Sequence, residues 1–190
     1  MDDSQAIRQI ATAASEEDVL AIARAFYRTQ GFAALSYARP SRDNPGRSEV
    51  SAFGFPEGFV ADYRDGLAEF DPLPGLAARA GRPVRILEIV EGRLSANQQL
   101  FVDTAREHGL TDGFLLPTFG PRQHIVVFSI TMAEHEDRIA HADLPILHSV
   151  AQAAHLRIDQ LASEEVARPH LAPREITILH WIARGKSNEE

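Results

Sequence analysis

Eight histidines and a handful of polar residues set in apolar runs are the side chains of this 190-residue sequence best suited to chemistry. His141, His148 and His155 recur every seven residues, which on one helix places them along a single stripe. Neighbours in such a stripe lie roughly 10 Å apart along the axis, too far to share one zinc ion with bonds of about 2 Å. The stripe is read as solvated or facing a second subunit, where histidine would respond to pH between about 6 and 7. No Ser/His/Asp nucleophile motif, phosphate-cradling glycine loop or HExxH stands in the sequence, and zero cysteines exclude thiolate metal sites and disulfide frameworks. No catalytic residue, metal ligand or cofactor is assigned. Asp71 precedes Pro72, a common placement for a helix cap; an ionised carboxylate only accepts hydrogen bonds, so it equally suits an N–H and repels a bare carbonyl. Tyr63 lies one helical turn from Phe59, as a core residue would, and Ser129 interrupts an apolar strand, where a hydroxyl is usually satisfied within the core.

The elements that must position these residues follow from periodicity. Two helices fill the first thirty residues, the second opening on Ser15-Glu16-Glu17-Asp18, a capping-box pattern, and closing at Gly31. Phe32–Ala38 and Glu49–Phe55 read as adjacent strands around a Pro/Gly/Asn loop, Pro40–Arg47. Helices follow from Pro56, from Asp71-Pro72 to about Gly81, and from Ser95 to His108, the last with Leu100, Phe101 and Ala105 on one face. Phe114–Thr118 and His124–Met132 are strands joined by a Gly-Pro turn, and Gly113 is read as serving the backbone. A final helix over Asp143–Ala162 tolerates Pro145 in its first turn and aligns Leu147, Val150, Ala154, Ile158 and Leu161. The order predicts an α+β fold, an α-β-α sandwich with a mainly antiparallel sheet and helices on both faces, followed by a truncated helical stub. Residues 1–163 form the domain, 164–173 a two-proline linker and 174–190 the stub.

Lys and Arg number 19 against 27 Asp and Glu, a net charge of −8, and the apolar share is 44%. No apolar run approaches the roughly 20 residues of a membrane span, and the acidic Met1-Asp2-Asp3-Ser4 start is unlike a signal peptide, so the expected place is the cytoplasm, away from membranes. The acidic balance also argues against strong nucleic-acid binding by the chain as given.

The last twenty residues, Leu171-Ala172-Pro173-Arg174-Glu175 through Gly185-Lys186-Ser187-Asn188, resemble the opening of a LuxR-type helix-turn-helix. Upstream, Phe55-Pro56-Glu57-Gly58-Phe59-Val60-Ala61-Asp62-Tyr63, Phe70-Asp71-Pro72 and Ala105-Arg106-Glu107-His108-Gly109-Leu110-Thr111-Asp112-Gly113 are similar, in order and spacing, to the motifs of the autoinducer-binding domain of quorum-sensing LuxR-type regulators. That resemblance implies a buried site for an N-acyl-homoserine lactone or related small signal, with Asp71 accepting its amide N–H, Tyr63 donating to its acyl carbonyl and Ser129 touching the same region. Phe101, Ala105, Leu110 and Leu115 would line the acyl pocket, and Phe55 would be a further ligand-binding residue. Two departures stand out: Phe59 and Ile86 replace pocket tryptophans of the family, the first of which gives the lactone carbonyl its indole N–H. The ligand is then either a lactone in a modified site or a signal that keeps an N–H for Asp71 and lacks the lactone carbonyl.

The resemblance further implies a ligand-responsive transcription regulator that forms a homodimer through the Asp143–Ala162 helix and binds a two-fold DNA site in a full-length form. The chain stops at Glu190, before a recognition helix, and from Glu164 onward carries four Lys and Arg against five Asp and Glu. It is read as part of a longer regulator or as a sensor-only protein able to titrate full-length partners. A rival is a PAS/GAF-like module that binds another metabolite, or none, and acts through protein contacts.

Overall fold

Residues 1–40, 48–120, 125–133 and 139–166 are described by the computed structural model of the chain. Helices α1 (Asp3–Thr12) and α2 (Glu16–Thr29) start on side-chain caps. Asp2 accepts from the N–H of Gln5 at 2.7 Å and Ser15 from that of Asp18 at 3.1 Å, a geometry worth about 1 kcal/mol each. Strands β1 (Phe32–Pro40) and β2 (Ser48–Phe53) pair antiparallel, with Leu35 opposite Phe53 and Ser36 opposite Ala52. Next come α3 (Glu57–Arg64) behind Pro56, a 3-10 turn (Leu67–Phe70) and α4 (Leu73–Ala80). Strand β3 (Val84–Arg85) and α5 (Ile86–Val90) lead to α6 (Ala96–Glu107), which a capping box between Ser95 and Gln98 starts. Strands β4 (Gly113–Phe119) and β5 (Ile125–Ala133) precede the long α7 (Leu144–Val166).

The sheet runs β2-β1-β5-β4-β3 with every neighbouring pair antiparallel. On one face α1, α2 and α7 bury Phe26, Tyr27, Leu35, Tyr37, Leu116 and Phe128 in a single apolar cluster, and the Tyr27 hydroxyl donates to the Leu147 carbonyl at 3.0 Å. The apolar residues of α3 to α6 form a second cluster, and Ala77, Val84, Leu115 and Val127 a third, on the opposite side. The three-layer α+β sandwich is therefore the observed architecture. Gly113 acts on the backbone: a Cβ there would run into the Ile130 carbonyl across the β4–β5 pair.

Several expectations are corrected. The 3-10 turn, β3 and α5 were not anticipated, because two to five residues carry too little periodicity to register. Leu100 leaves the face shared by Phe101 and Ala105 and is 53% exposed, while Val102 takes its place in the core. Helix α7 continues through Glu164, Glu165 and Val166, so the linker cannot begin at 164. The histidine stripe dissolves: His141 precedes the helix, His148 is half-buried with its ring bonded to the Pro117 carbonyl at 2.7 Å, and His155 is buried beside the Tyr37 hydroxyl at 3.2 Å. Each of those two rings is held inside the sandwich through one nitrogen rather than standing on a solvated stripe. The 41–47 loop, the 121–123 turn, the rest of the linker and the 174–190 stub lie outside the described residues.

Candidate functional site

Alternation along the strands makes the two sheet faces unequal. Leu35, Tyr37, Phe128 and Ile130 point to the α1/α2/α7 layer, while Ala34, Ser36, Ala38, Ala52, Val127 and Ser129 lie on the other side. Small side chains there leave the sheet unable to meet α3 and α6, and a cavity of about 400 Å³ remains between them, within the usual range for a small-molecule site.

The structure brings every proposed pocket residue to the wall of this one cavity. Phe59 and Tyr63 enter from α3 with Phe55 just before it, Phe101 and Ala105 from α6, Leu110 from the loop after it and Ile86 from the start of α5. Leu115 and Ser129 face each other across β4 and β5 as part of the floor. Phe59 is the hub of the aromatic wall: its ring lies 6.0 Å from those of Phe55 and Tyr63, 6.1 Å from Phe101 and 5.9 Å from His108.

Asp71 supplies the charge. One carboxylate oxygen accepts from the Leu73 N–H at 2.9 Å, tying down the first turn of α4, and the other accepts from the Tyr63 hydroxyl at 3.0 Å. Capping and cavity lining are thus the work of one side chain. Burial raises its pKa from 3.8 to about 6, against the opposing pull of those two hydrogen bonds. Burial likewise raises the Tyr63 phenol, with the adjacent Asp71 charge adding to the shift, so the phenol stays protonated. The Tyr63 proton is directed at Asp71, and a ligand carbonyl could take it only by displacing that bond.

Ser129 is not the satisfied core hydroxyl expected of an apolar strand. It borders the cavity directly beside Ser36 of β1, and neither side chain has a hydrogen-bond partner among the described residues. Ser36 was missed, as were Val50, Ala52 and Thr131. The signal existed in the small-residue alternation Ala34, Ser36, Ala38, which marks a sheet face with nothing large to bury. Behind the wall, Asp112 accepts from Arg85 Nε and from the N–H groups of Leu87 and Gly113, fixing the chain on both sides of Ile86. Among the described residues no group of three or more His, Asp and Glu could hold a metal, and no helix is long and apolar enough to cross a membrane.

A sandwich with one solid face and one hollow, carboxylate-bearing face is the architecture of a small-molecule sensor domain. The model of the autoinducer binding domain matches residues 15–158, and the chain belongs to that family. Its fold is similar to that of CepR2 from Burkholderia cenocepacia, an N-acylhomoserine lactone-dependent LuxR-family transcription factor, at a TM-score of 0.68 and 16% identity over 85% of this chain and 96% of that one. It is also similar to SdiA of Escherichia coli in complex with octanoyl-rac-glycerol, at a TM-score of 0.59 and 18% identity over 97% of this chain and 77% of that one. In sequence it is 34% identical over 89 residues to the HTH-type transcriptional regulator y4qH of Sinorhizobium fredii. That match spans 45% of this chain and 27% of the relative.

Proposed function

We propose that the chain is the sensing part of a LuxR-type transcription regulator and that the cavity takes one small amphiphilic signal. The observation that carries this reading is Asp71, a half-buried carboxylate on the wall of an otherwise mainly apolar cavity, with Tyr63 beside it. A group in that position accepts an N–H from a ligand whose apolar part lies against Phe55, Phe59, Phe101 and Leu110. An unpaired polar group in such a site costs about 1–3 kcal/mol, which would make the contact selective. Phe59 and Ile86 offer no indole N–H, so the signal is either an N-acyl-homoserine lactone whose ring carbonyl finds another donor or a molecule without that carbonyl. Octanoyl-rac-glycerol, in the SdiA complex, has no lactone ring, which supports keeping the second class.

Ligand would stabilise the domain by mass action and favour a homodimer through α7, which in a full-length form presents two helix-turn-helix units to DNA. No residue is assigned a catalytic role, and the cytoplasm is the proposed location. Thermal-shift measurements with N-acyl-homoserine lactones of graded chain length, alongside 1-octanoylglycerol, test the reading. A rise in Tm with ligand concentration supports it, and no stabilisation by any lactone removes the lactone version. Loss of both tryptophans favours, as a second reading, a module that binds a non-lactone small molecule, or none, and acts through protein contacts. Mass spectrometry of small molecules extracted from the purified protein separates the two, since a recovered acyl-homoserine lactone ends the second.

A further inference from the structure

We propose that His108 is a positioning residue of the cavity, a latch that joins the two helices of its helical wall at the rim and sets how fast a ligand enters and leaves. The inference rests on the reading of the cavity as a ligand site. Helices α3 and α6 lie side by side in the wall that faces the sheet, α3 lining the cavity with Phe59 and Tyr63 and α6 with Phe101 and Ala105, and the Phe59 and Phe101 rings meet 6.1 Å apart. The cavity-bordering residues of these helices that are exposed to solvent are Arg64 and Arg106, which mark the rim. Asp62 stands two residues before the first and His108 two residues after the second. The His108 Nε2 lies 2.8 Å from Asp62 Oδ2, so a hydrogen bond spans α3 and the end of α6 beside the rim.

The seat of that ring is shaped for it. His108 lies edge-on to Phe59, the hub of the aromatic wall, with centroids 5.9 Å apart and planes at 67°. Gly58, in the first turn of α3, leaves the space the ring occupies: a Cβ there would sit 2.7 Å from His108 Cε1 and 3.3 Å from Nδ1. Gly58, Phe59 and Asp62 thus give one helix face three distinct contacts with the imidazole: a space, an aromatic edge and an acceptor. Glycine inside a helix is unfavourable relative to alanine, so Gly58 holds its place at a local cost, which the room for His108 explains.

The contact can be broken without breaking the fold. In Gly58→Ala the colliding atoms belong to the far end of a side chain, so the ring swings off Asp62 while α3 gains helix propensity. The probe is N-phenyl-1-naphthylamine, an apolar dye, loaded into the purified chain and followed by stopped-flow fluorescence as it is displaced, with Tm measured in parallel. The expected result is dissociation roughly two- to tenfold faster in Gly58→Ala and His108→Ala, the effect of one net hydrogen bond, with Tm in Gly58→Ala unchanged or raised. His108→Gln, which keeps an N–H for Asp62, should restore part of the slow rate. The double variant Gly58→Ala/His108→Ala should be no faster than His108→Ala alone. Dye release at the wild-type rate in both single variants, with wild-type uptake intact, overturns the latch and leaves the ligand site standing. A wild-type chain that takes up no dye and is stabilised by no lactone removes the ligand site, and the latch with it.

Discussion

The two faces of one sheet obey opposite rules. Toward α1, α2 and α7 the strands present Leu35, Tyr37, Leu116 and Phe128, all at most 2% exposed, and the layer is solid. Toward α3 to α6 the same strands present Ala38, Ser36, Ala52 and Ser129, and the layer is hollow. Since alternate residues of a strand serve alternate faces, the stability of the domain and its recognition chemistry are written on interleaved positions of the same segments. One face can change while the other keeps the fold.

The widest separation between the faces should appear in stability. Phe128→Ala opens a hole in the close-packed layer and should cost about 3–5 kcal/mol. Val127→Ala, one residue away on the cavity side, borders existing space and should cost about 1–2 kcal/mol, the transfer energy of the lost groups. Urea unfolding of both variants reads the difference directly. Equal costs would mean that the hollow face is packed as tightly as the solid one.

Ligand response should separate the faces the other way. Asp71→Asn keeps an acceptor for the Leu73 N–H, so the cap on α4 survives, yet it removes the charge that a ligand N–H would meet. Affinity for an acyl-homoserine lactone should fall about 10- to 100-fold, the range for a hydrogen bond to a charged group, with Tm without ligand unchanged or raised at neutral pH, because a desolvated charge is removed. Titration supplies an independent check. Folding raises the Asp71 pKa to about 6, so its contribution to the stability of the free chain is whole below about 4, the unfolded value, and is lost as pH rises through about 6. The ligand needs the ionised form, so its affinity should fall as pH drops through about 6, and Asp71→Asn should flatten that profile in isothermal titration calorimetry.

How much of this was legible beforehand divides along the same line. The solid face was readable because long amphipathic stretches advertise themselves: α2 with its Ser15 cap and α7 with its stripe of Leu147, Val150, Ala154 and Ile158 are where the periodicity places them. The hollow face was read through its family resemblance, which picked out Phe59, Tyr63, Asp71 and Ser129, all of them on the border of one cavity, while their ligand contacts are proposals. What escaped was set by tertiary context. Ser36 borders the cavity only because β1 pairs with β5 in a register that puts it beside Ser129, and α5 is too short to show a period. The histidine stripe failed for a related reason: seven-residue spacing is a property of a helix, and His141 lies outside it.

Restoring a family feature probes the head-group end of the cavity. Phe59→Trp returns an indole N–H to the hub of the aromatic wall, where the ring is 7% exposed and borders open space. If the signal is a lactone, its affinity should rise about tenfold, one net hydrogen bond at the upper end of the usual range, while 1-octanoylglycerol should gain less. Thermal shifts with both compounds measure the ratio, and a variant that favours neither would place the polar head away from Phe59.

The finest distinction is Ser129→Ala. In the solid layer, loss of a hydroxyl such as that of Tyr27 would remove a buried hydrogen bond to the Leu147 carbonyl. Ser129 has no such partner among the described residues, and its hydroxyl borders the cavity beside that of Ser36. The free chain should therefore change by no more than about 0.5 kcal/mol in urea unfolding, the usual span for a substitution that breaks no buried contact. A ligand oxygen seated over the floor would feel the loss, and its affinity should fall up to about tenfold. Ser36→Ala should repeat the effect, and the double variant should lose less than the sum if both hydroxyls hold the same ligand atom, because residues that share a partner are not additive. Unchanged affinity in all three variants would confine recognition to Asp71 and the aromatic wall, leaving the floor to supply room and nothing else.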